Sequence, residues 1–334
     1  MARIGTHDGK FHTDEVLACF FLRSLEQYKN APVIRSRNPE VLETCDIVVD
    51  VGGVYDPKKL KFDHHQREFN ETMKSLGTLD FDTKLSSAGL VYNHFGREVI
   101  ASLLKLDSTQ SPVIDVLYAK MYENFVHAVD AIDNGIEQFD GPPRYKLSST
   151  LNSRVGNLNP AWNQEDANPE TQFDKAMKVV GREFTEQLSY LFHSFLPARQ
   201  LVLDAIENRE KNHISGKIVV FANGSCPWKE HLLEIEAEQK LQDKGLTYAV
   251  FGDKGGSWRV QAIPVDANST FENRAPLPEA WRGFRDEKLS DIVGVPDCVF
   301  VHISGFIGGH KTREGAIQMA EKALILLGLW SPRA

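Results

Sequence analysis

The sequence predicts an α/β protein in two parts, a parallel-sheet domain followed by a smaller α/β domain. Three observations carry that reading. Short β-branched runs alternate with stretches of helical periodicity over the first 140 or so residues, the pattern of a parallel sheet with crossover helices. A polar segment rich in Asn, Ser and Pro, 141–171, opening on Gly141-Pro142-Pro143, interrupts that pattern and reads as a linker, lid or substrate loop. A second alternation of strand and helix patterns then runs to the carboxyl end. The expected division is 1–170 for a catalytic domain, 171–210 for a connecting helical segment and 211–334 for a substrate-binding domain. A chain of 334 residues suits about two domains, large enough to need no disulfide or structural metal to form a core.

Taken in order, Ile4 to Thr6 is a strand that ends at the polar string from His7 to Asp14. Val16, Leu17, Phe20, Phe21 and Leu25 recur at helical spacing, with Thr13 as the expected N-cap. Pro32–Ser36 and Cys45–Gly53 supply two more strands. The latter carries Ile47-Val48-Val49 and ends in Asp50 and two glycines, as a buried parallel strand opening on a site does. Leu60-Lys61-Phe62 leads into Asp63-His64-His65, and helical patterns cover Ser87–Leu104 and Pro112–Asp133. From Phe173 a helix resumes until Pro197 breaks or kinks it. Strands are expected at Lys217–Ala222, Thr247–Phe251, Trp258–Ile263 and Cys298–Ile303, with helices at Lys229–Lys244 and after Thr312.

The composition, 42% apolar and 25% charged, is that of a folded protein. No uninterrupted apolar run is long enough to span a bilayer. The four cysteines lack CxxC spacing, the usage of a reducing compartment. A net charge of -8 argues against coating nucleic acid by bulk charge, although not against a local groove or a metal-bridged phosphate site. The amino terminus shows no secretory or transit leader pattern, which favours the cytosol or nucleus.

The histidines and aspartates carry the chemistry. His7, His12 and Asp14 follow the first strand, Asp50 the third, and Asp63, His64 and His65 the next. Asp130 and Asp133 stand three apart on one helical pattern. Imidazoles mixed with carboxylates suit Mn²⁺, Fe²⁺, Co²⁺ or Zn²⁺, and Mg²⁺ less well. The donors outnumber the needs of one tetrahedral ion, and a bridging Asp would let two ions sit about 3.5–4 Å apart, as in phosphoester hydrolysis.

Phe62-Asp63-His64-His65, standing after an amino-terminal His/Asp motif and a strand-end Asp, resembles the motif that names the DHH phosphoesterase superfamily. More narrowly, His7–Glu15, Val49–Gly53, Phe62–Gln66 and Val129–Gly135 look like the Myg (melanocyte proliferating gene) family across essentially the whole chain. The resemblance implies a metal-dependent phosphodiesterase acting as a 3′→5′ RNA exonuclease, found in mitochondria and nucleus. Its substrate, RNA or a short oligonucleotide, would lie in a cleft between the domains. Superfamily members usually open with His, three residues, Asp, one residue, Asp. Here Phe11 and Thr13 fall at the acidic places, so an imidazole replaces one carboxylate. The implied ligands of a two-ion, Mn²⁺-favoured centre are His7, His12, Asp14, Asp50, Asp63, His65 and either Asp130 or Asp133. His64 is the expected contact to the phosphate or the leaving oxygen, or else an orienter of the ligands.

In the carboxyl-terminal half, Gly308-Gly309-His310 with Lys311 and Arg313 sits between a strand and a helix, where glycine amides and cations suit an anion. It is similar to the superfamily's glycine-rich nucleotide-contacting element. Arg259, Arg282 and Arg285 near Trp258 and Trp281 either extend a strand-binding surface or pack in the core. Two other readings stay open: a hydrolase of small nucleotides or phosphoanhydrides, and a non-catalytic RNA-binding protein with a vestigial site. The completeness of the donor set speaks against the last.

Overall fold

The structure, a computed structural model, describes residues 2–164, 168–266 and 272–332. Its chain divides into two compact units, Met1–Leu191 and Phe192–Ala334, and the fold is α/β throughout.

In the first unit five strands, β1 (Ile4–Thr6), β2 (Val33–Arg35), β3 (Ile47–Val49), β4 (Tyr55–Asp56) and β5 (Lys61–Phe62), form one sheet in the order β2-β1-β3-β5-β4. The first four neighbours run parallel, and β4 returns antiparallel along β5. Because β1, β3 and β5 point the same way, their carboxyl ends open on one edge, so His7, Asp50 and Asp63 leave the sheet together. The helices are α1 (Thr13–Arg23), α2 (Pro39–Leu42), α3 (Ser87–Leu104), α4 (Ser111–Met121), α5 (His127–Asp133), α6 (Leu151–Gly156) and α7 (Pro169–Tyr190). Helix α1 packs on α3 and α7 through Phe21, whose ring lies 4.9 Å from Phe184 and 5.4 Å from Tyr92. Gly181 of α7 leaves room for Phe20, since a Cβ there would stand 2.5 Å from that ring. Burying a phenylalanine of this kind contributes roughly 1.5–3 kcal/mol, so this aromatic cluster fixes the last turn of α1 against α3 and α7.

Several expectations change. The N-cap of α1 is His12, whose amide donates to both carboxylate oxygens of Glu15 at 3.0 Å; the hydroxyl of Thr13 is buried without a partner. The continuous helix expected over 112–133 is broken by a π-helical turn, Tyr122–Val126, between α4 and α5. Within the polar segment α6 forms, and Asn159 beyond it clamps the backbone of Phe11, accepting from its amide at 2.9 Å and donating to its carbonyl at 2.8 Å. That segment therefore braces the loop from His7 to Asp14, and its residues 165–167 lie outside the described residues.

The second unit holds β6 (Ile218–Phe221), β7 (Tyr248–Gly252), β8 (Trp258–Ala262), β9 (Cys298–Val301) and β10 (Ile307–His310) in the order β6-β7-β8-β10-β9. Only β6 and β7 pair in parallel; the other neighbours are antiparallel. Its helices are α8 (Leu196–Glu207), α9 (Arg209–Asn212), α10 (Trp228–Glu238), α11 (Asp286–Val293) and α12 (Arg313–Leu326). Val219, Phe221, Ala249 and Phe251 face α8 and α10, whereas Val220, Val250 and Val260 face α11 and α12, the period-2 alternation of a sheet covered on both sides. Pro197 falls in the first turn of α8, directly after a π-helical turn at Leu191–Phe195. The helix expected over 229–244 stops at Glu238 and is followed by a 3₁₀ turn. Among the described residues no helix is long and apolar enough to cross a membrane.

Candidate metal centre

At the carboxyl edge of the first sheet the chain reverses sharply after each strand. Asp50 ends β3 with a φ of +57°, a left-handed conformation that Asp and Asn tolerate better than other side chains. This turn aims its carboxylate back across the sheet edge, where it is 5% exposed. Three donor groups meet there, each with ligand atoms within 4.8 Å of one another: Asp50, Asp63, His64 and His65; His7, His12 and Glu15; and Asp14, His64 and Asp133. They adjoin. His7 Nε2 lies 3.0 Å from Glu15 and 3.5 Å from Asp50. His64 Nδ1 lies 3.6 Å from Asp50 and 3.7 Å from Asp14, while its Nε2 lies 3.0 Å from Asp133.

Helix α3 holds this cluster by its amino terminus. The amides of Ser87 and Ala88 donate to the two oxygens of Asp14 at 3.1 and 2.5 Å, and free helix N-terminal amides suit an anion. The Ser87 hydroxyl touches His64 Nδ1 at 3.1 Å and Asp50 at 3.2 Å.

The electrostatics mark the cluster as short of positive charge. Burial, reinforced by the charges of Asp50 and Asp133, pushes the Asp14 carboxyl well above its ordinary range. Burial also raises Glu15, although His7 opposes it. For His7, burial disfavours the charged ring, but hydrogen bonds to Asp50 and Glu15 outweigh that and raise it to about 9. Among the described residues the ion-pair partners of Asp14, Glu15, Asp50, Asp63 and Asp133 are imidazoles, with no Lys or Arg. Crowded buried carboxylates of this kind are neutralised by protons or by a bound cation, and imidazole with carboxylate is a donor set for a divalent transition metal. The residues fit a metal.

Of the predicted ligands, His7, His12, Asp14, Asp50, Asp63, His65 and Asp133 come together, and His64 with them. Asp130 does not. Its Oδ1 accepts from the Ser86 amide at 3.0 Å and the Ser86 hydroxyl at 2.8 Å, and its Oδ2 accepts from Tyr122 at 2.9 Å. It thus braces the N-cap of α3, and Gly89 permits the approach, since a Cβ there would stand 2.2 Å from the carboxylate. Three residues on in the same helix, Asp133 reaches the cluster instead, its Oδ2 lying 3.0 Å from His64 Nε2. The two histidines of the motif also differ. His64 is buried among three carboxylates, whereas the side chain of His65 is 62% exposed, with Nδ1 on Asp63 at 2.8 Å. Asp63 spends its oxygens on its own loop, accepting from Gly53 at 2.5 Å and the His65 amide at 3.1 Å; burial raises its carboxyl, but these bonds leave it lowered. Glu15 and Ser87 escaped the sequence reading. Glu15 follows Asp14 directly, a signal that was present, but Ser87 is an ordinary helix-start serine until the fold places it.

The second unit holds the remaining predicted residues. The loop expected around Gly308 and Gly309 is instead strand β10, paired on both sides, so those backbone groups serve the sheet ladders. His310 is 2% exposed, its Nε2 on the carbonyl of Pro296 at 2.7 Å and its Nδ1 accepting from the Thr312 amide at 2.9 Å. Lys311 pairs with Asp297 at 2.8 Å, and Arg313 donates to Asn212 at 2.7 Å. Arg259 pairs with Asp253 and lies 5.3 Å over the Phe300 ring. Trp281 is core, 1% exposed, and so is not a stacking platform, and Arg282 donates through Nε to the carbonyl of Leu277 at 2.9 Å.

Comparison with known proteins gives the chain's relatives. The family profile MYG1_exonuc, described as "Uncharacterised protein family (UPF0160)", matches residues 3–324. The chain is similar to the MYG1 protein of Caenorhabditis elegans, 53% identical over 322 residues that cover 96% of this chain and 94% of that one. It is 54% identical to the MYG1 exonuclease of Rattus norvegicus over 96% of this chain and 84% of that one. Identity to the MYG1 exonuclease of Homo sapiens is 52%, over 96% and 85% respectively.

Proposed function

The chain belongs to the MYG1 family, and we propose that it is a metal-dependent phosphodiesterase that shortens RNA from the 3′ end. Relatives named exonucleases, matched over nearly the whole chain, support the nuclease class and a nucleic-acid substrate. One observation carries the metal dependence: five carboxylates from four separate segments converge, and among the described residues their ion-pair partners are imidazoles. Their number and arrangement around Asp50 and His64 support two ions, with Mn²⁺ favoured by the mixed nitrogen and oxygen donors.

Divalent ions at such a centre neutralise phosphate charge and make bound water acidic near neutral pH. The protein's own groups then divide the work. His7, His12, Asp14, Glu15, Asp50, His64 and Asp133 hold the ions. His65, anchored through Nδ1 by Asp63 at the exposed rim, presents Nε2 to the substrate and acts as the donor to the leaving oxygen. This reverses the roles first expected for His64 and His65, because a side chain enclosed by Asp14, Asp50 and Asp133 has no access to a phosphodiester. We assign phosphate contacts in the second unit to Arg259, Lys311 and Arg313, each already held by a fixed partner.

The test is to strip the protein of metal and incubate it with end-labelled RNA and DNA oligomers, adding Mn²⁺, Mg²⁺ or Zn²⁺ separately. A ladder that shortens RNA from its 3′ end only with added metal is expected. Hydrolysis confined to dinucleotides or mononucleotides would favour the small-substrate reading instead, and hydrolysis undiminished by chelator would reject the mechanism.

A further inference from the structure

One hydroxyl, that of Ser87, stands between His64 and Asp50, and these neighbours constrain where its single proton goes. Ser87 Oγ is fully buried, 3.1 Å from His64 Nδ1 and 3.2 Å from Asp50 Oδ1. Ser87 Oγ donates to Asp50 Oδ1, and with its one proton committed there its oxygen accepts from His64 Nδ1. In the neutral ring that proton on Nδ1 leaves Nε2 as the bare nitrogen. Nε2, however, faces Asp133 Oδ2 at 3.0 Å. A bare Nε2 and a carboxylate repel at that distance unless a ring proton or a bound cation stands between them, and Asp14, His64 and Asp133 form one of the three donor groups able to surround a cation.

We propose that Ser87 is a positioning residue that sets the tautomer of His64, turning its Nε2 into a metal donor paired with Asp133. The inference rests on the metal-centre reading above and adds a specific requirement to it. The same helix turn serves two further donors: the Ser87 and Ala88 amides fix Asp14. The Ser86 cap, held by Asp130 and through it by Tyr122, keeps that turn in place. The site and its support thus depend on the start of α3, where the Ser87 hydroxyl is in contact with both His64 and Asp50. Its loss leaves His64 Nδ1 only the longer contacts to Asp50 and Asp14, at 3.6 and 3.7 Å, and removes a donor from Asp50. The ring is then free to rotate or to carry its proton on Nε2, where it can no longer bind a cation.

Metal binding and tautomer, rather than hydrolysis, are the readouts. The full chain, stripped of metal, is titrated with Mn²⁺ by calorimetry as wild type, Ser87→Ala and Ser87→Thr, with circular dichroism and thermal melting as the check on folding. Ser87→Ala should bind Mn²⁺ about 10–100-fold more weakly, the range for partners that orient ligands, and Ser87→Thr, which keeps the hydroxyl, should recover most of it. Independently of any variant, ¹⁵N imidazole shifts of the Zn²⁺-loaded wild type should show His64 protonated on Nδ1. Unchanged Mn²⁺ affinity in Ser87→Ala, or a His64 protonated on Nε2 in the wild type, overturns the proposal. Weaker Mn²⁺ binding in Ser87→Ala by a protein that cuts no oligonucleotide would leave this inference standing while rejecting the nuclease reading. RNA hydrolysis with unchanged affinity would do the reverse.

Discussion

Replacing Asp130 by asparagine separates a structural acid from a ligating one. Asp130 is fully buried; burial first, and then the charge of Asp133, push its carboxyl up to about 7 against the lowering bonds from Ser86 and Tyr122. The folded state therefore holds this proton where the unfolded chain has released it, so the contribution to stability is complete below the ordinary value of 3.8 and is lost as pH rises through about 7. From 3.8 to about 7, at about 1.4 kcal/mol for each tenfold change in proton affinity, the loss is about 4 kcal/mol. Asparagine keeps an oxygen for the Ser86 amide and hydroxyl and turns its amide toward the Tyr122 oxygen, without an ionisation to suppress. Urea unfolding of metal-stripped wild type and Asp130→Asn, compared between pH 4 and 8, should show the wild type losing about 4 kcal/mol relative to the variant. Two parallel curves would refute a buried, mostly neutral Asp130 and with it the separation of this residue from the metal centre.

Three further outcomes follow from the same geometry. Asp50→Asn, which keeps a side chain suited to the left-handed backbone at that position, should fold normally yet bind Mn²⁺ at least about 100-fold more weakly and lose hydrolysis; calorimetry with an RNA assay checks both. His65→Ala should lower kcat by about 10²–10⁴ with little change in Mn²⁺ affinity, whereas His64→Ala should lose affinity, a contrast read by titration beside single-turnover kinetics. Adding Mn²⁺ at about 100 times its dissociation constant should stabilise the stripped protein by about 2.7 kcal/mol, raising the melting temperature of the first unit by roughly 5–10 °C; calorimetric scans without that rise would oppose a preformed site.

Much of this site is written locally in the chain. Asp50 and the Asp63-His64-His65 run follow short buried strands, so parallel pairing alone delivers them to one edge. What the sequence hides depends on distant contacts. Asp130 and Asp133 look equivalent in sequence, and only the fold, which sets Ser86 and Tyr122 around the first and His64 beside the second, decides which of them reaches the site. The exposure that distinguishes His65 from His64 comes from the packing of Ser87 and Asp133 around one ring and not the other. In the second unit Ile307-Gly308-Gly309-His310 reads as a turn because glycine is common in turns. It forms a strand paired on both sides, and glycine is needed in it because Phe300, Arg259 and Leu277 crowd the places where Cβ atoms would stand. Ser87 carries no signal in one dimension at all.

The claim at the centre of this account is that these acids and imidazoles are a cradle for divalent cations. Anomalous diffraction from crystals soaked in Mn²⁺ tests it directly: the account predicts peaks bounded by Asp14, Asp50, His64 and Asp133 and by His7 with its neighbours. A map with no peak at these residues, at saturating Mn²⁺, would contradict it.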